Sequence, residues 1–375
     1  MAFWPFGKKK KAEPAPAIQP EVRTNPDGSK VVSYQMQLKG GSDRPVRDDV
    51  VTIMDNALSS LGGEVMHAMD PRRIVNFMSG GPPVWSVGIV SVPGPTPYTL
   101  LVTYGFSHVL SPSSFREGMQ HEYSIALPAG TDPSPWADAL LRHMARYVLS
   151  SGKDLIVGDV MPCHAPITCS AFQPEHHAMM PQTDLVGLVV GRDPALPSIS
   201  TPHGAIEVRR FVGVDQLELD RAETWFGESF LEEYAKDEPL LLSALDRPSA
   251  MANAAFRERC AARAAREGSA QSAVMLGVSW RDTGDAFEID IPGGREFHKL
   301  RDALRGRLPH GRTLMVVSRT SSPLLFQPGE GFGIEPTPQG LLIHGDLSHP
   351  QFQIFIGDVG GDSGASSRVA RFRYA

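Results

Sequence analysis

An amphipathic helix is the feature that most constrains the fold of this chain. Its apolar stripe recurs at every fourth position and lines one face of an α-helix. The stripe consists of Trp136, Leu140, Met144 and Val148. Ser134 can cap the helix, Pro135 suits its first turn, and Gly152 is typical of its end. Such a stripe must be buried against other elements of a core.

Segments rich in apolar, aromatic and β-branched residues lie on both sides of this helix and predict strands. They are residues 84–92, 98–106, 121–127, 155–157, 185–190 and 205–214. Helical periodicity begins near Asp48 and returns across Leu217 to Tyr234. Residues 163–181 have no period and predict a loop. Together the patterns predict an α+β fold.

The length of 375 residues indicates two domains, since single cores stop growing at roughly 250–300 residues. After Pro248 an Ala/Arg-rich segment predicts a connecting helix, and β-runs resume near Ser272. We therefore expect four parts with different roles. They are a flexible leader (1–45), a first domain (46–250), a connecting helix (251–270) and a smaller C-terminal α+β domain (271–375) with a loosely held tail from Gly360.

The composition narrows the classes of function. A net charge of −6 does not favour nucleic acid as a partner, and three cysteines, an odd number, fit a reducing compartment better than a disulfide framework. No stretch reaches the roughly 18 uncharged apolar residues of a transmembrane segment. We expect a cytoplasmic protein. Lys8 to Lys11 are typical of a solvated tail, with contact to an anionic membrane surface as the alternative.

Three stretches match parts of catalytic motifs but lack the rest. Gly361 to Gly364 read GDSG, yet they lie in a Gly/Ser-rich end with no barrel-length run of strands before them. His344-Gly345-Asp346 resembles a phosphotransferase loop, but Gln351 replaces the metal-binding asparagine. The glycines of residues 329–333 precede no helix that could bind phosphate. We expect no enzymatic activity and no cofactor.

A zinc site is the alternative function that the sequence leaves open. Cys163, His164, Cys169 and His176 lie within one loop, and they would make a zinc-binding enzyme or a zinc-stabilised module. Their spacing departs from zinc motifs, in which cysteines form close pairs and histidines lie three to five residues apart. Polar loop residues beside a buried strand explain the same pattern.

Eight stretches, in order, resemble motifs of the Suppressor of Fused family. They are residues 97–108, 121–127, 136–148, 158–159, 164–167, 201–204, 211–219 and 225–231. Examples are Ala145-Arg146-Tyr147-Val148, similar to the family's "LARYVF", and Thr201 to Gly204, similar to "TPFG". The resemblance covers roughly residues 55–250.

The resemblance implies a Suppressor of Fused-like mixed sheet flanked by helices, and binding in place of catalysis. Animal members clamp an extended peptide that joins as a strand between two domains, and bacterial members resemble immunity proteins that neutralise a cognate toxin. This chain resembles a bacterial member, so the implied partner is a toxin or a regulatory protein. Tyr147 and Asp159 align with peptide-contacting positions, and His164 belongs to a neighbouring motif. A core tyrosine and a turn aspartate are the structural alternatives for the first two.

Overall fold

The computed structural model describes residues 20–24, 30–34, 48–69, 84, 86–108, 119–133, 135–169, 178–291, 293–357 and 368–373. Within these ranges, an eight-stranded sheet occupies the N-terminal part, and a five-stranded and a three-stranded sheet occupy the C-terminal part. A separate hairpin pairs β1 (Pro20–Thr24) with β2 (Lys30–Tyr34). The predicted α+β class is confirmed.

The large sheet is mixed. Its strands are β3 (Met66–Met69), β4 (Ser86–Val92), β5 (Tyr98–Tyr104), β6 (His121–Pro128), β7 (Val160–Pro162), β8 (Gly187–Arg192), β9 (Ser198–Thr201) and β10 (Gly204–Val214). They lie in the order β3-β4-β5-β6-β10-β8-β7, with β9 also on β10. Only the β6–β10 pair is parallel among these described strands. Strands β3 and β7 therefore form the two edges of the sheet as far as it is described.

Helices cover both faces of this sheet. The α-helices of the described residues are α1 (Asp48–Ser59), α2 (Trp136–Ser151), α3 (Gln216–Thr224), α4 (Gly227–Tyr234), α5 (Ala254–Glu267), α6 (Gly294–Arg307) and α7 (Gln353–Ile356). Helix α2 shares one core with one face of the sheet, and α1, α3, α4 and α5 pack against the other face. Among the described residues, none of the helices has the length and apolar character to cross a bilayer.

The predicted stripe of α2 is confirmed. All four of its residues are buried, with Trp136 and Leu140 fully enclosed. Gly152 follows in the left-handed conformation, at φ 68°, and its N–H binds the carbonyl of Val148, so it ends the helix as predicted. Ser134 lies outside the described residues.

One local prediction, the strand at residues 155–157, was wrong, whereas the helical prediction for residues 217–234 is confirmed with a break. Leu155 is buried, but the strand begins at Val160, because the chain first makes a turn at Gly158, with φ 92°. The helical segment 217–234 is two helices, since Trp225 leaves helical geometry at φ −127° and ψ −124°. Its indole is buried, and its N–H binds Glu267 of α5.

The C-terminal part has its own core. Its five-stranded sheet orders β11 (Ala273–Met275), β14 (Leu314–Val317), β15 (Leu324–Pro328), β17 (Gly340–Gly345) and β16 (Phe332–Thr337). The three-stranded sheet orders β12 (Ser279–Asp282), β13 (Ala286–Ile291) and β18 (Arg368–Arg373). Helices α6 and α7 share the apolar core of both sheets.

The prediction of a loosely held tail was wrong for residues 368–373. These six residues pair with β13 along its length, and Ala370 and Phe372 are buried in the C-terminal core. The alternation of these two apolar residues is a strand pattern. Residues 358–367 and 374–375 lie outside the described residues, and the four-part division of the chain stays a prediction.

Polar contacts join the two parts. Arg295 of α6 binds Asp220 of α3 at 2.6 Å, and Lys299 binds Glu223 one turn further along. Arg307 donates to the carbonyl oxygen of Ser269, just after α5. Helix α3 therefore contacts the C-terminal part through α6 and the edge of the large sheet through β7.

Candidate functional site

The edge strand β7 is the centre of the candidate site. Among the described strands, it pairs with β8 on one side and has no neighbour on the other. All three of its residues, Val160, Met161 and Pro162, are uncharged and partly exposed. Soluble proteins usually protect edge strands with charged side chains. In β7 the only such protection is Pro162, which has no N–H to donate to another strand. An uncharged edge is suited to accept another strand.

The hydrogen bonds of β7 determine which backbone groups point outward. Val190 donates to the carbonyl of Asp159 at 2.9 Å, and Cys163 donates to the carbonyl of Val186 at 2.9 Å. Antiparallel pairing alternates along a strand, so the intervening Val160 and Pro162 turn their backbone polar groups away from β8. The outward groups are the N–H and C=O of Val160 and the C=O of Pro162, which has no N–H.

Asp159 and His164 lie at the two ends of β7. One oxygen of Asp159, Oδ2, accepts the backbone N–H of Ile156 at 3.0 Å, so this carboxylate stabilises the turn that leads into β7. Asp159 therefore acts as a turn aspartate, which is the structural alternative predicted for it from the sequence. A carboxylate has a second oxygen, and the Asp159 side chain is only half-buried.

His164 is exposed and has a left-handed backbone, with φ 57°. This conformation is uncommon for a residue other than glycine, and strain of this kind concentrates at functional sites. The imidazole stands at the surface beside the C-terminal end of β7.

Tyr147 lies on α2, on the face of the sheet that also contains Met161. Both side chains are partly buried against the same apolar core, together with Cys163. The structure thus brings Asp159 and His164 to the ends of one strand and places Tyr147 on the core that this strand covers. Whether these three residues bind a partner stays a prediction.

The loop residues proposed as zinc ligands form no metal centre within the described part of the chain. No three His, Cys, Asp or Glu side chains in that part are placed to hold a metal ion. Cys169 is buried beside Thr168, with Sγ 3.6 Å from Oγ1, whereas Cys163 contacts the carbonyl of Met161 at 4.0 Å. His176, the remaining proposed ligand, lies outside the described residues.

The stretches that resemble catalytic motifs have structural roles where they are described. The ring of His344 covers Gly333, where an added Cβ atom would lie 2.3 Å from Nε2. Asp346 accepts the backbone N–H of Ser348 at 2.8 Å, which lowers the pKa of that carboxyl. Gly333 therefore gives room for close packing beside β17, whereas Gly331 has a left-handed backbone at φ 73°. Gly361 to Gly364 lie outside the described residues.

Buried charges stabilise the sheet beside the site. Arg210 binds Asp193 at 2.7 Å with both side chains fully buried. Burial raises the pKa of Asp193, but the charge of Arg210 and a hydrogen bond from Ser124 outweigh it and lower the pKa overall. His121 is also buried, and burial together with the nearby charge of Arg209 lowers its pKa to about 4. Arg209 binds Asp154 and Arg210 binds Asp193, so these charges are paired within the fold.

Comparison with known proteins agrees with this architecture. The family model described as Suppressor of fused protein (SUFU) matches residues 84–248. This segment is similar to a Suppressor of Fused domain. The Suppressor of fused homologs of human and mouse are each 27% identical to the chain over 128 residues, which cover 34% of this chain and 24% of those proteins. The match therefore spans about a quarter of these relatives.

The likeness in three dimensions extends further along the chain. The crystal structure of Drosophila Suppressor of Fused aligns with 80% of this chain and 87% of its own, with a TM-score of 0.57 and 16% identity. At this identity the likeness concerns the fold. The family resemblance and the mixed sheet flanked by helices are both confirmed.

Proposed function

We propose that this chain is a non-catalytic protein-binding module of the Suppressor of Fused type, which pairs an extended partner segment with β7. The observation that carries this proposal is the uncharged edge with outward N–H and C=O groups between Asp159 and His164. Each such group gains a hydrogen bond when a strand is added, so the backbone provides affinity without dictating the partner's sequence.

Side chains around the edge provide selectivity in this proposal. Successive residues of an added strand point to opposite faces. One face of the added strand contacts Tyr147 and Met161. The other face contacts Val160 and the helices α3 and α4, which belong to the same apolar cluster as Val160. Asp159 and His164 then contact the ends of the bound segment.

We propose a regulatory or immunity role in the cytoplasm of a bacterium, with a regulatory protein or a cognate toxin as the partner. The support for this finer assignment is the sequence resemblance to bacterial members. It predicts that the gene for a toxin lies beside the gene for this chain when the role is immunity.

A pull-down from the native cells tests the proposal. Val160→Pro removes the outward N–H of β7, and Ala273→Pro is its matched control. Ala273 is exposed on the edge strand β11. Ser272 and Leu276, which lie an even number of residues apart, both form backbone hydrogen bonds with β14. Because this bonding alternates along a strand, the backbone groups of Ala273 point outward. We expect a stoichiometric protein partner with the native chain and with Ala273→Pro, and its loss with Val160→Pro.

Thermal unfolding of both variants shows whether each one is folded. If Val160→Pro unfolds the domain, His164→Gly replaces it as the test, because glycine tolerates φ 57°. A partner that is retained by folded Val160→Pro would contradict binding along β7, and one that is bound equally by His164→Gly would exclude contact at the His164 end of the strand.

A further inference from the structure

Exposed apolar side chains lie on the segments that adjoin β7 and β8. Ile156, which is 54% exposed, lies in the turn before β7, and Leu217, which is 60% exposed, lies in the first turn of α3. Helix α3 contacts β7 directly. Met179, which is 71% exposed, begins the approach to β8, and the carbonyl of Pro181 binds Thr168 in the loop after β7. Large apolar side chains that are this exposed mark contact surfaces when they cluster.

Carboxylates lie at one end of the same edge. Glu228 is exposed in the first turn of α4, and a Cβ atom added to Gly158 would lie 3.4 Å from the Cβ atom of Glu228. Asp159 is the next residue along the chain. Two carboxylates thus flank the N-terminal end of β7, and the apolar side chain of Leu217 belongs to the helix beside the strand.

We propose that the segment bound at β7 is an extended polypeptide with alternating apolar residues and a lysine or arginine that faces Asp159 and Glu228. This inference rests on the proposed function and names the chemistry of its partner. The apolar residues cover Ile156 and Leu217, and the cation is complementary to the two carboxylates. A chain with net charge −6 also attracts a basic segment during encounter.

The proposal favours this partner over an acidic or a uniformly polar segment. An acidic residue at the same position would meet two like charges, which costs affinity and weakens pairing. A polar segment would leave the apolar side chains at residues 156 and 217 in contact with water. Selectivity then comes from the side chains at the edge, since the backbone groups of β7 bind any sequence.

Selection from a phage library of random dodecapeptides tests the proposal with the full chain as bait. We expect the enriched peptides to combine lysine or arginine with alternating apolar residues. The most enriched peptide is then synthesised, and its affinity is measured by fluorescence anisotropy for Glu228→Lys and Leu217→Ser. Glu335→Lys is the matched charge control, because Glu335 is exposed on β16, an edge strand of the C-terminal sheet.

For Glu228→Lys we expect binding to weaken by about two- to fivefold, the scale of one exposed ion pair. The effect should shrink as the salt concentration rises, and Glu335→Lys should leave the affinity unchanged. Leu217→Ser should weaken binding at every salt concentration. Thermal unfolding confirms that each variant is folded.

The outcomes separate this inference from the proposed function. Peptides that bind the native chain and lose binding to Val160→Pro, but show no basic enrichment or no response to Glu228→Lys, would overturn the inference and leave β7 as the binding edge. If no peptide depends on Val160, both proposals are wrong.

Discussion

At the scale of single residues, Glu122 shows how burial and hydrogen bonds oppose each other. Its carboxylate is fully buried and accepts the backbone N–H groups of Gly105 and Ser107 and the hydroxyls of Ser107 and Thr103. Burial raises the pKa of Glu122 to about 7, although these hydrogen bonds lower it in part. This carboxylate organises the turn after β5.

The raised pKa of Glu122 predicts a pH dependence of stability. Between its ordinary value of 4.5 and about 7, folded Glu122 keeps a proton that the unfolded chain releases. The free energy of unfolding therefore falls as the pH rises through this window, by roughly 3 kcal/mol. Urea unfolding at pH 4.5 and pH 8 measures this change. In Glu122→Gln the contribution should be absent, and an unchanged slope in the variant would contradict the assignment.

His164 gives a second prediction at this scale. His164→Gly removes an exposed imidazole at a left-handed position, so the free energy of unfolding should change by less than about 1 kcal/mol. Binding of the partner isolated from native cells should nevertheless weaken. Equal affinity of both proteins for that partner would remove His164 from the binding residues.

At the scale of elements, helix α4 approaches the edge strand closely at Gly227. A Cβ atom there would lie 2.2 Å from the carbonyl oxygen of Gly158 and 2.9 Å from Val160. Gly227 begins α4 and is buried against the turn that leads into β7. The absence of a side chain at this position therefore sets the distance between α4 and the candidate site.

Gly227→Ala should consequently disturb both stability and binding. We expect a loss of about 1–3 kcal/mol in the free energy of unfolding, because the backbone must shift to admit the methyl group. Partner affinity should fall as β7 moves. Gly329→Ala is the control, since its nearest contact would be 3.5 Å. Equal melting temperatures for Gly227→Ala and the native chain would show that the packing is looser than described.

The elements differ in how well they could be predicted from the sequence. The stripe of α2 was predictable because a four-residue repeat is local information. Strand β7 was missed, and the strand was expected at residues 155–157. Its three residues contain a proline and no alternation, and it becomes a strand only by pairing with β8, more than twenty residues later. Asp159 and His164 were reached through family resemblance, and their positions at the ends of an edge strand required the structure.

At the scale of the whole molecule, α3 connects the candidate site to the C-terminal part. Its carboxylates Asp220 and Glu223 pair with Arg295 and Lys299 of α6. Arg312 and Arg307 add hydrogen bonds to the carbonyl of Ser269. These polar contacts join the two cores, with Arg295 exposed at the surface and Arg307 and Ser269 buried.

Charge reversal tests this junction. Asp220→Arg should lower the free energy of unfolding by up to about 1 kcal/mol, since Arg295 is 57% exposed and its pairing is screened by water. Combining it with Arg295→Asp should restore part of the loss, and a double-mutant cycle in urea measures the coupling. A coupling energy of zero would show that this ion pair does not hold the two parts together.

In the function proposed for this molecule, a partner strand pairs with β7. The most direct measurement is hydrogen exchange at the amide of Val160 in the free chain and in its complex with the isolated partner. This N–H points away from β8 and should exchange readily in the free chain. We expect marked slowing at Val160 on binding, with little change at Ala273 on β11. Unchanged exchange at Val160 in a saturated complex would contradict it.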